Sequence, residues 1–416
     1  MERGISLLGL FVFVGISYLF SVNRKAVRWN PVLWGIALQL IFAVLILKTT
    51  PGFLVFEFLG NCVTQFLNFS DQGAKFVFGE TFQDHFIAFK VLPTIIFFSS
   101  FISILYHYGI LQKVVEVVAW VMMRTLKTSG SETLSCSANI FIGQTEAPLL
   151  IKPYILTLTH SELHAVMTGG FATIAGGVMA AYIAFGIPAQ HILAASVMSA
   201  PAALAISKVF YPETETSLTQ GKVKIEVKPT SANGIDAAAT GASEGMKLAL
   251  NVAAMLIAFL GLLALVNGIL QGVGGLLGFP GLSLERIFSY LFYPVAWLMG
   301  VPASDCLQVG ILLGKKTILN EFIAYLDLKQ LIENGVKVAQ GKIPSDSVTT
   351  ISERAIIIST YALCGFSNIG SIAIQIGGIS AIAPERQPDV ARLGLRAMIA
   401  GSIACFMTAC IAGLLL

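Results

Sequence analysis

The sequence predicts an all-α polytopic membrane protein with about eight transmembrane helices, two re-entrant helical hairpins and interfacial helices. Of its 416 residues, 56% are hydrophobic and only 12% are charged, whereas soluble domains carry about 25% charged residues. The apolar runs are continuous and about 17–25 residues long, which is the length of a helix that spans hydrocarbon. A transmembrane β-barrel would instead show shorter strands of alternating polarity. Two polar segments at matching positions in the two halves of the chain complete the pattern.

Eight apolar runs are predicted to span the membrane. They cover about residues 4–22, 32–48, 90–108, 161–184, 189–207, 246–272, 352–377 and 390–415. Basic residues follow the first run rather than precede it, so we expect a retained helix and not a cleaved signal peptide. Residues 52–88 carry too many charges to span and predict an interfacial amphipathic helix. A second interfacial segment is predicted after the glycine-rich residues 274–281.

The basic residues cluster between alternate spans, and this pattern predicts the orientation of the chain. The clusters lie at residues 24–28, 113–127, 222–228 and 386–396. The positive-inside rule places them in the cytoplasm. Both termini are therefore predicted on the periplasmic side of a cell inner (plasma) membrane. Lys337, Lys342 and Arg354 would then lie outside, which opposes this arrangement.

Two polar segments, residues 128–158 and 302–333, each predict a hairpin of two half-length helices. The sequence after each hairpin also repeats, because SELHAVMTGGFATIAGG (161–177) is similar to SERAIIISTYALCGFSNIGS (352–371). The first copy starts inside and the second starts outside, so the two units form an inverted repeat. Secondary carriers use such repeats to place substrate and ion sites where helices break near the midplane.

These features divide the chain into four regions. The predicted regions are N-terminal scaffold helices with an interfacial helix (1–110), a first repeat unit with hairpin 1 (128–208), a cytoplasmic loop with the long sixth helix and an interfacial helix (209–300), and a second repeat unit with hairpin 2 (302–416). A midplane site would lie between the two repeat units.

Glu146 and Glu321 are acids at or near the breaks of the two hairpins. Ionisable groups inside a membrane are costly and usually functional. The alternative is a structural salt bridge, with Lys152, Lys315 or Lys316 as the partner. Beside Glu146, Gln144 and Thr145 offer donors and acceptors that suit a neutral polyhydroxylated or heterocyclic ligand.

Asn139 and Thr173 supply neutral oxygens beside the predicted breaks. Together with backbone carbonyls of an unwound helix they could coordinate a hard cation such as sodium. The alternative is a simple helix–helix hydrogen bond. The HSELH segment places His160 and His164 one turn apart, but a metal site needs a third ligand. Ser161 as a helix N-cap is the simpler interpretation of that segment.

At GQTEAP (143–148), NEF (320–322) and GFSNIGSIAIQIGG (365–378), the chain resembles the sodium-coupled type of the concentrative nucleoside transporter family, in its bacterial form. IDAAATGASEGMKLALN (235–251) matches that family as well, and the resemblance runs over nearly the whole chain. It implies eight spanning helices, two re-entrant hairpins and a homotrimer in which each protomer has its own elevator-like transport domain.

The resemblance also implies roles for particular residues. In the substrate site, Gln144, Thr145 and Glu146 would face the nucleobase, Glu321, Asn368 and Ser371 would bind the ribose hydroxyls, and Val178 and Phe366 would make apolar contacts. In the sodium site, the ligands would be the side chains of Asn139 and Thr173 and the backbone carbonyls of Ile142 and Ile174.

The predicted function is a secondary active symporter that imports nucleosides, for example uridine, on a sodium gradient. A proton-coupled nucleoside symporter is the alternative, because the resembled family also has proton-coupled members. The sequence contains neither a nucleophile paired with a base nor a set of metal ligands, and so it does not predict an enzyme. No cofactor is expected other than sodium as the coupling ion, and no basic tract predicts nucleic-acid binding.

Overall fold

The computed structural model describes residues 1–221, 231–279 and 281–416, and the predicted basic cluster at 222–228 lies outside these ranges. The helices of the first half are α1 (Glu2–Leu19), α2 (Trp29–Lys48), α3 (Thr50–Asn68), α4 (Ser70–Phe78), α5 (Leu92–His107), α6 (Ile110–Leu126), α7 (Gly130–Ala138), α8 (His160–Ala172), α9 (Gly176–Ala184) and α10 (Ala189–Phe210). The second half has α11 (Gly234–Leu276), α12 (Leu284–Leu291), α13 (Tyr293–Leu298), α14 (Cys306–Ile318), α15 (Glu321–Ala339), α16 (Glu353–Leu363), α17 (Ile369–Ile382) and α18 (Gln387–Leu415).

Seven of the eight predicted spans coincide with long apolar segments, although the predicted span 161–184 is interrupted at residues 173–175, between α8 and α9. Among the described residues, seven segments are long and apolar enough to cross a membrane: Glu2–Leu19, Trp29–Lys48, Ile87–His107, His160–Ala184, Ala189–Phe210, Gly234–Leu276 and Pro384–Leu415. The remaining predicted span, 352–377, is divided between α16 and α17, which the interruption at residues 364–368 separates. The all-α polytopic fold class is thereby confirmed, and the protein is a multi-pass membrane protein.

Two helices differ from the prediction because polar side chains hide them in the sequence. α6 carries Lys113 and Arg124, yet one face of it is buried at helical spacing, through Leu111, Val115, Ala119, Met122 and Leu126. α11 begins at Gly234, before the predicted start at 246, because the Asn233 side chain accepts hydrogen bonds from two backbone amides of its first turn. The residues of its first turns are polar or small, and the sequence therefore predicted a loop there.

α8 of the first repeat unit and α16 of the second run in opposite directions along α18. This helix is about 44 Å long at 1.5 Å per residue. The N-terminal end of α8 meets the start of α18, where His160 Nε2 lies 3.5 Å from Asp389 Oδ1. The N-terminal end of α16 meets the other end of α18, where Arg354 Nη2 donates to Gly413 O at 2.6 Å. These contacts confirm the inverted repeat.

Both chain termini lie at one end of the helix bundle, and the side of the membrane predicted for them stays a prediction. Arg3 Nη2 donates to Leu416 O at 2.6 Å. Arg354, which opposed the predicted orientation, lies at this same end and pairs with Glu2 at 3.4 Å. At the opposite end, a small notch is lined by basic side chains from three parts of the chain, Arg28, Lys127 and Lys208. Arg28 and Lys127, which come from two of the predicted basic clusters, therefore lie on the same face.

The core lies around α8, α10 and α18, which are largely buried, whereas α5 and α11 are largely exposed. α1 packs on α18 and α2 packs on α10, while α5 packs along α11. The N-terminal region 1–110 therefore divides its contacts between the repeat units and α11. Close glycine contacts permit this packing, since a Cβ on Gly35 would lie 2.6 Å from the Ala205 side chain.

The α5–α11 contact depends on glycine, and we expect Gly241→Ala to destabilise it. A Cβ at Gly241 would lie 2.6 Å from Ser103 Cβ and 2.7 Å from Ser99 O, and such overpacking costs about 1–3 kcal/mol. The midpoint of thermal aggregation in detergent should fall by several degrees. Gly261→Ala is the matched control on the same helix, because nothing lies within 4 Å of its added Cβ, and it should not lower the midpoint. Equal midpoints would contradict the packing argument.

Candidate functional site

The two broken helices meet at their interruptions. α8 ends at Ala172, and Thr173 is extended, with φ −122° and ψ 170°. α16 ends at Leu363, and the backbone N–H of Phe366 donates to Thr173 O at 3.1 Å. A Cβ on Gly365 would lie 2.7 Å from Phe171 O, so this close approach requires glycine. Backbone groups that leave the helical ladder therefore converge at the centre of the molecule.

The two hairpins enter from opposite ends and bring their tips to these breaks. Hairpin 1 consists of α7, a tip at residues 139–146, and a 3-10 segment over Ala147–Thr157. Hairpin 2 consists of α14 and α15, which Leu319 and Asn320 join. At its open end the Asp305 carboxylate accepts from the Ser352 hydroxyl at 2.5 Å, beside the start of α16. Each polar segment therefore has the predicted hairpin form, although α15 extends beyond 333.

Glu321 lies at the tip of hairpin 2 and is only 4% exposed. Its Oε1 accepts from the Tyr182 hydroxyl at 2.9 Å, and its Oε2 accepts from Asn368 Nδ2 at 3.1 Å. Asn368 in turn caps α17, because its Oδ1 accepts from the backbone N–H of Ser371 at 2.9 Å. Three of the predicted substrate residues thus form one hydrogen-bonded group around a buried carboxylate.

Neither lysine of hairpin 2 forms an ion pair with Glu321 among the described residues. Lys315 Nζ pairs with Asp327 at 2.7 Å. Lys316 is 1% exposed, and its Nζ donates to Ala362 O at 2.7 Å, where it caps the last turn of α16. The salt-bridge alternative for Glu321 with either lysine is therefore wrong. The carboxylate keeps acceptor capacity that neutral hydroxyl groups of a ligand could use.

Gln144, Thr145 and Glu146 lie at the tip of hairpin 1 but have different surroundings. Gln144 is buried, and its Oε1 accepts from Gln375 Nε2 of α17 at 3.0 Å. Thr145 Oγ1 donates to Glu146 Oε2 at 2.9 Å. Glu146 is exposed and lines a cleft of about 470 Å³ between hairpin 1, α5, α9 and α11, which Lys152 also lines.

One face of α17 connects the two hairpin tips. Asn368, Ser371 and Gln375 are all buried, and spacings of three and four residues place them on the same side of a helix. Glu321 of hairpin 2 meets this face at Asn368, and Gln144 of hairpin 1 meets it at Gln375. The two contacts are about 10 Å apart along the helix, at 1.5 Å per residue. This separation between the two contacts suits a ligand with a hydroxylated end and a heterocyclic end.

The two apolar residues of the predicted site lie beside the breaks. Val178 is 4% exposed and belongs to α9, two residues after its start. Phe366 is half-buried and lies within the unwound segment of the second repeat. Both pack against the central hydrophobic core.

The predicted sodium ligands lie where hairpin 1 meets the first break. Asn139 is 1% exposed and its Nδ2 donates to Ser135 O at 3.1 Å, whereas its Oδ1 is buried and accepts no hydrogen bond from any described residue. Thr173 Oγ1 donates to Gly169 O at 2.8 Å, so its lone pairs stay available. The Ile142 and Ile174 carbonyls likewise accept no backbone hydrogen bond in the described ranges. A set of neutral oxygens of this kind fits a hard cation.

The HSELH segment has a structural role at the start of α8. Ser161 is not the N-cap; Thr159 is, in a capping box with Glu162. Thr159 has the extended backbone that a cap requires, whereas Ser161 already lies within the first turn of the helix. His160 lies beside Glu215 and Asp389, and His164 Nδ1 lies 2.7 Å from the Ser207 hydroxyl. Among the described residues no group of three His, Cys, Asp or Glu side chains could hold a metal ion.

Two residues of this centre, Tyr182 and Gln375, were not among the predicted site residues. Gln375 lies within the GFSNIGSIAIQIGG segment, and its spacing from Asn368 and Ser371 is a signal that could have identified it. Tyr182 has no such signal, since it is one aromatic residue among many in an apolar helix.

Comparison with protein families gives three matches in order along the chain. The family description "Na+ dependent nucleoside transporter N-terminus" matches residues 8–81, "Nucleoside recognition" matches residues 88–189, and "Na+ dependent nucleoside transporter C-terminus" matches residues 191–413. Together these matches cover nearly all of the helical elements described above.

Two curated relatives agree with these family matches. Solute carrier family 28 member 3 of Homo sapiens is 49% identical over 419 residues, which is 100% of this chain and 60% of that protein. Sodium/nucleoside cotransporter 1 of Rattus norvegicus is 45% identical over 415 residues, which is 100% of this chain and 64% of that protein. The chain thus spans about 60% of the length of the curated relatives it matches.

Among solved structures, CNTnw in an inward-facing substrate-bound state has a TM-score of 0.92 and 40% sequence identity, over 100% of this chain and 98% of that one. A substituted CNTnw in an outward-facing state has a TM-score of 0.91 and 39% identity, also over 100% and 98%. These matches and the family descriptions agree on one assignment over the whole chain. The chain therefore belongs to the Na+-dependent, concentrative nucleoside transporter family.

Proposed function

We propose that the protein is a secondary active symporter that imports nucleosides such as uridine together with sodium. The observation that carries this proposal is the shared face of α17, on which Asn368 meets Glu321 and Gln375 meets Gln144. A nucleoside has a hydroxylated ribose and a heterocyclic base, and this face offers a separate polar group to each. The family to which the chain belongs supports the same substrate class.

At the ribose end, the Glu321 carboxylate is the acceptor for the sugar hydroxyls, with Asn368 and Ser371 beside it. Hydrogen bonds to a buried ionised acceptor are stronger than those between neutral groups. At the other end, Gln144, Thr145 and Glu146 contact the nucleobase, and Val178 and Phe366 contact the apolar faces of the ligand. The exposure of Glu146 in the cleft supports entry of the ligand along hairpin 1.

Sodium binds to the Asn139 and Thr173 side chains and to the Ile142 and Ile174 carbonyls. The buried Asn139 Oδ1 without a partner among the described residues supports this set. Coupling follows from the link between the two breaks, because Thr173 O accepts from the backbone N–H of Phe366. An ion that orders Thr173 thereby orders the segment that carries Phe366 and Asn368, and the two ligands favour each other's binding.

The transport cycle is of the elevator type, and the protein works as a homotrimer. In this proposal the repeat units 128–208 and 302–416 move, and the scaffold is drawn from 1–110 and 209–300, mainly α5 and α11. The extensive contact of α5 with α11, and the exposed apolar side chains on α11 such as Ile257, support a static interface. Similarity to CNTnw in both inward- and outward-facing states supports alternating access.

The protein is placed in the cell inner (plasma) membrane with both termini on the periplasmic side. The shared face of Arg28 and Lys127 supports a cytoplasmic location for that end of the bundle. The proposal is of a carrier and not of an enzyme, and it requires no cofactor beyond the coupling ion.

Labelled uridine uptake into proteoliposomes tests the coupling ion. With an inward sodium gradient and equal pH on both sides, uridine should accumulate above its external concentration. With an inward proton gradient and equal sodium, it should only equilibrate. Accumulation on the proton gradient alone would replace sodium by the proton-coupled alternative.

A further inference from the structure

Gln375 makes a pair of hydrogen bonds that fixes the orientation of two amides. Its side chain is 1% exposed and projects from α17 between hairpin 1 and α8. Its Nε2 donates to Met167 O of α8 at 3.0 Å and also to Gln144 Oε1 at 3.0 Å. Both hydrogens of one NH2 group are thus used at the place where three elements meet.

A backbone carbonyl can only accept a hydrogen bond, so Met167 O determines which end of the Gln375 amide faces it. The same NH2 group then faces Gln144, and only the Gln144 carbonyl oxygen can meet it. Rotation of the Gln144 amide by half a turn would place two NH2 groups against each other and leave buried donors without partners. The Gln144 NH2 group is therefore directed away from Gln375.

Glycine at position 170 makes room for this arrangement. A Cβ there would lie 2.6 Å from Gln375 Nε2 and 2.8 Å from Gln144 Cβ. Any larger residue on this face of α8 would separate the two glutamines. The orientation of Gln144 is thus determined by residues outside the set that the family resemblance implies.

We propose that Gln375 is a specificity-determining residue, which holds the Gln144 NH2 group toward the nucleobase. The site then donates a hydrogen bond at this position and prefers a base that presents a carbonyl oxygen over one that presents an amino group. Uracil and cytosine differ in this way, because cytosine carries an amino group where uracil has a carbonyl. This inference rests on the proposed contact between Gln144 and the nucleobase.

The test is the ratio of kcat/KM for uridine to that for cytidine in sodium-driven uptake. The wild type should have a ratio well above one. Gln375→Met keeps an unbranched side chain of similar length but cannot orient the amide, and the ratio should fall about three- to tenfold. Gln39→Leu is the control at another buried glutamine, which bonds to Gly35 O and Thr408, and it should leave the ratio unchanged.

Gln375→Glu gives a second, opposite prediction. The Met167 carbonyl can only accept a hydrogen bond, so it favours the protonated form of the new carboxyl group. The O–H then donates to Met167 O, and the other lone pairs accept from Gln144. The Gln144 amide then turns its carbonyl oxygen toward the base. The uridine-to-cytidine ratio should fall below that of Gln375→Met and shift toward cytidine.

Each ratio is also measured as a ratio of Kd values by titration calorimetry on detergent-solubilised protein with sodium, so that a slow variant still gives a result. A wild-type ratio at or below one, or a Gln375→Met ratio within twofold of the wild type, would overturn the orientation role while the proposed function stands. Absence of sodium-driven uptake of either nucleoside by the wild type would overturn the proposed function itself.

Discussion

Glu321→Gln is expected to lower kcat/KM for uridine about 10- to 100-fold, because a hydrogen bond to a charged acceptor contributes about 1.5–3 kcal/mol. The fold should survive, since the glutamine carbonyl can accept from Asn368 and its NH2 group can donate to the Tyr182 hydroxyl, the two partners of the native carboxylate. Uptake of labelled uridine into proteoliposomes, corrected for the amount of reconstituted protein, measures the effect.

Two comparisons assign this loss to the ribose. The penalty of Glu321→Gln should be smaller for 2′-deoxyuridine than for uridine, because one hydroxyl donor is already missing. Glu333→Gln on the same helix, where Glu333 pairs with Lys329 at 3.6 Å, should retain uptake within about twofold of wild type. An equal penalty for both nucleosides would assign Glu321 a role other than ribose binding.

The second large effect concerns the ion. Thr173→Val keeps the size of the side chain and removes its hydroxyl oxygen, and we expect it to raise the sodium concentration for half-maximal uptake about tenfold or more. Loss of one ligand of a buried cation leaves the ion partly desolvated without compensation. Asn139→Leu, which removes the Oδ1 atom that has no partner among the described residues, should have an effect at least as large.

Saturating sodium should restore part of the maximal uptake in Thr173→Val, because the nucleoside ligands are unchanged. Thr168→Val is the control, because Thr168 lies on α8 one turn before the break. Its hydroxyl donates to His164 O and is not among the proposed sodium ligands. An unchanged half-maximal sodium concentration in both Thr173→Val and Asn139→Leu would remove the proposed ion site.

The fold was predictable where the membrane imposes simple rules. The thickness of the hydrocarbon layer determines the length of the apolar runs. Most spans could therefore be placed within a few residues, whereas α11 begins twelve residues before its predicted start. The repeat of residues 161–177 at 352–371 predicted two units of opposite direction, and the contacts of His160 and Arg354 at opposite ends of α18 agree with it. α6 was missed because a buried stripe of five residues was hidden among charged ones.

The site was predictable in its residue types but not in its contacts. Family resemblance indicated Glu321 and Asn368, and these two residues are hydrogen-bonded. No local pattern shows that Gln375 reaches Gln144, because these residues are 231 positions apart and meet only after both repeats have packed. Tyr182 likewise joins Glu321 across 139 positions. Such contacts depend on tertiary packing, and composition and spacing carry little information about them.

The central claim is that nucleoside and sodium move together, and the most direct measurement is sodium movement driven by uridine. Proteoliposomes with equal labelled sodium on both sides, and no pH difference, receive an inward uridine gradient while the membrane potential is clamped at zero. Linkage requires that the uridine gradient drive sodium inward above its starting concentration, and Asn139→Leu should abolish this accumulation. Uridine entry with no net movement of sodium in the wild type would contradict the account.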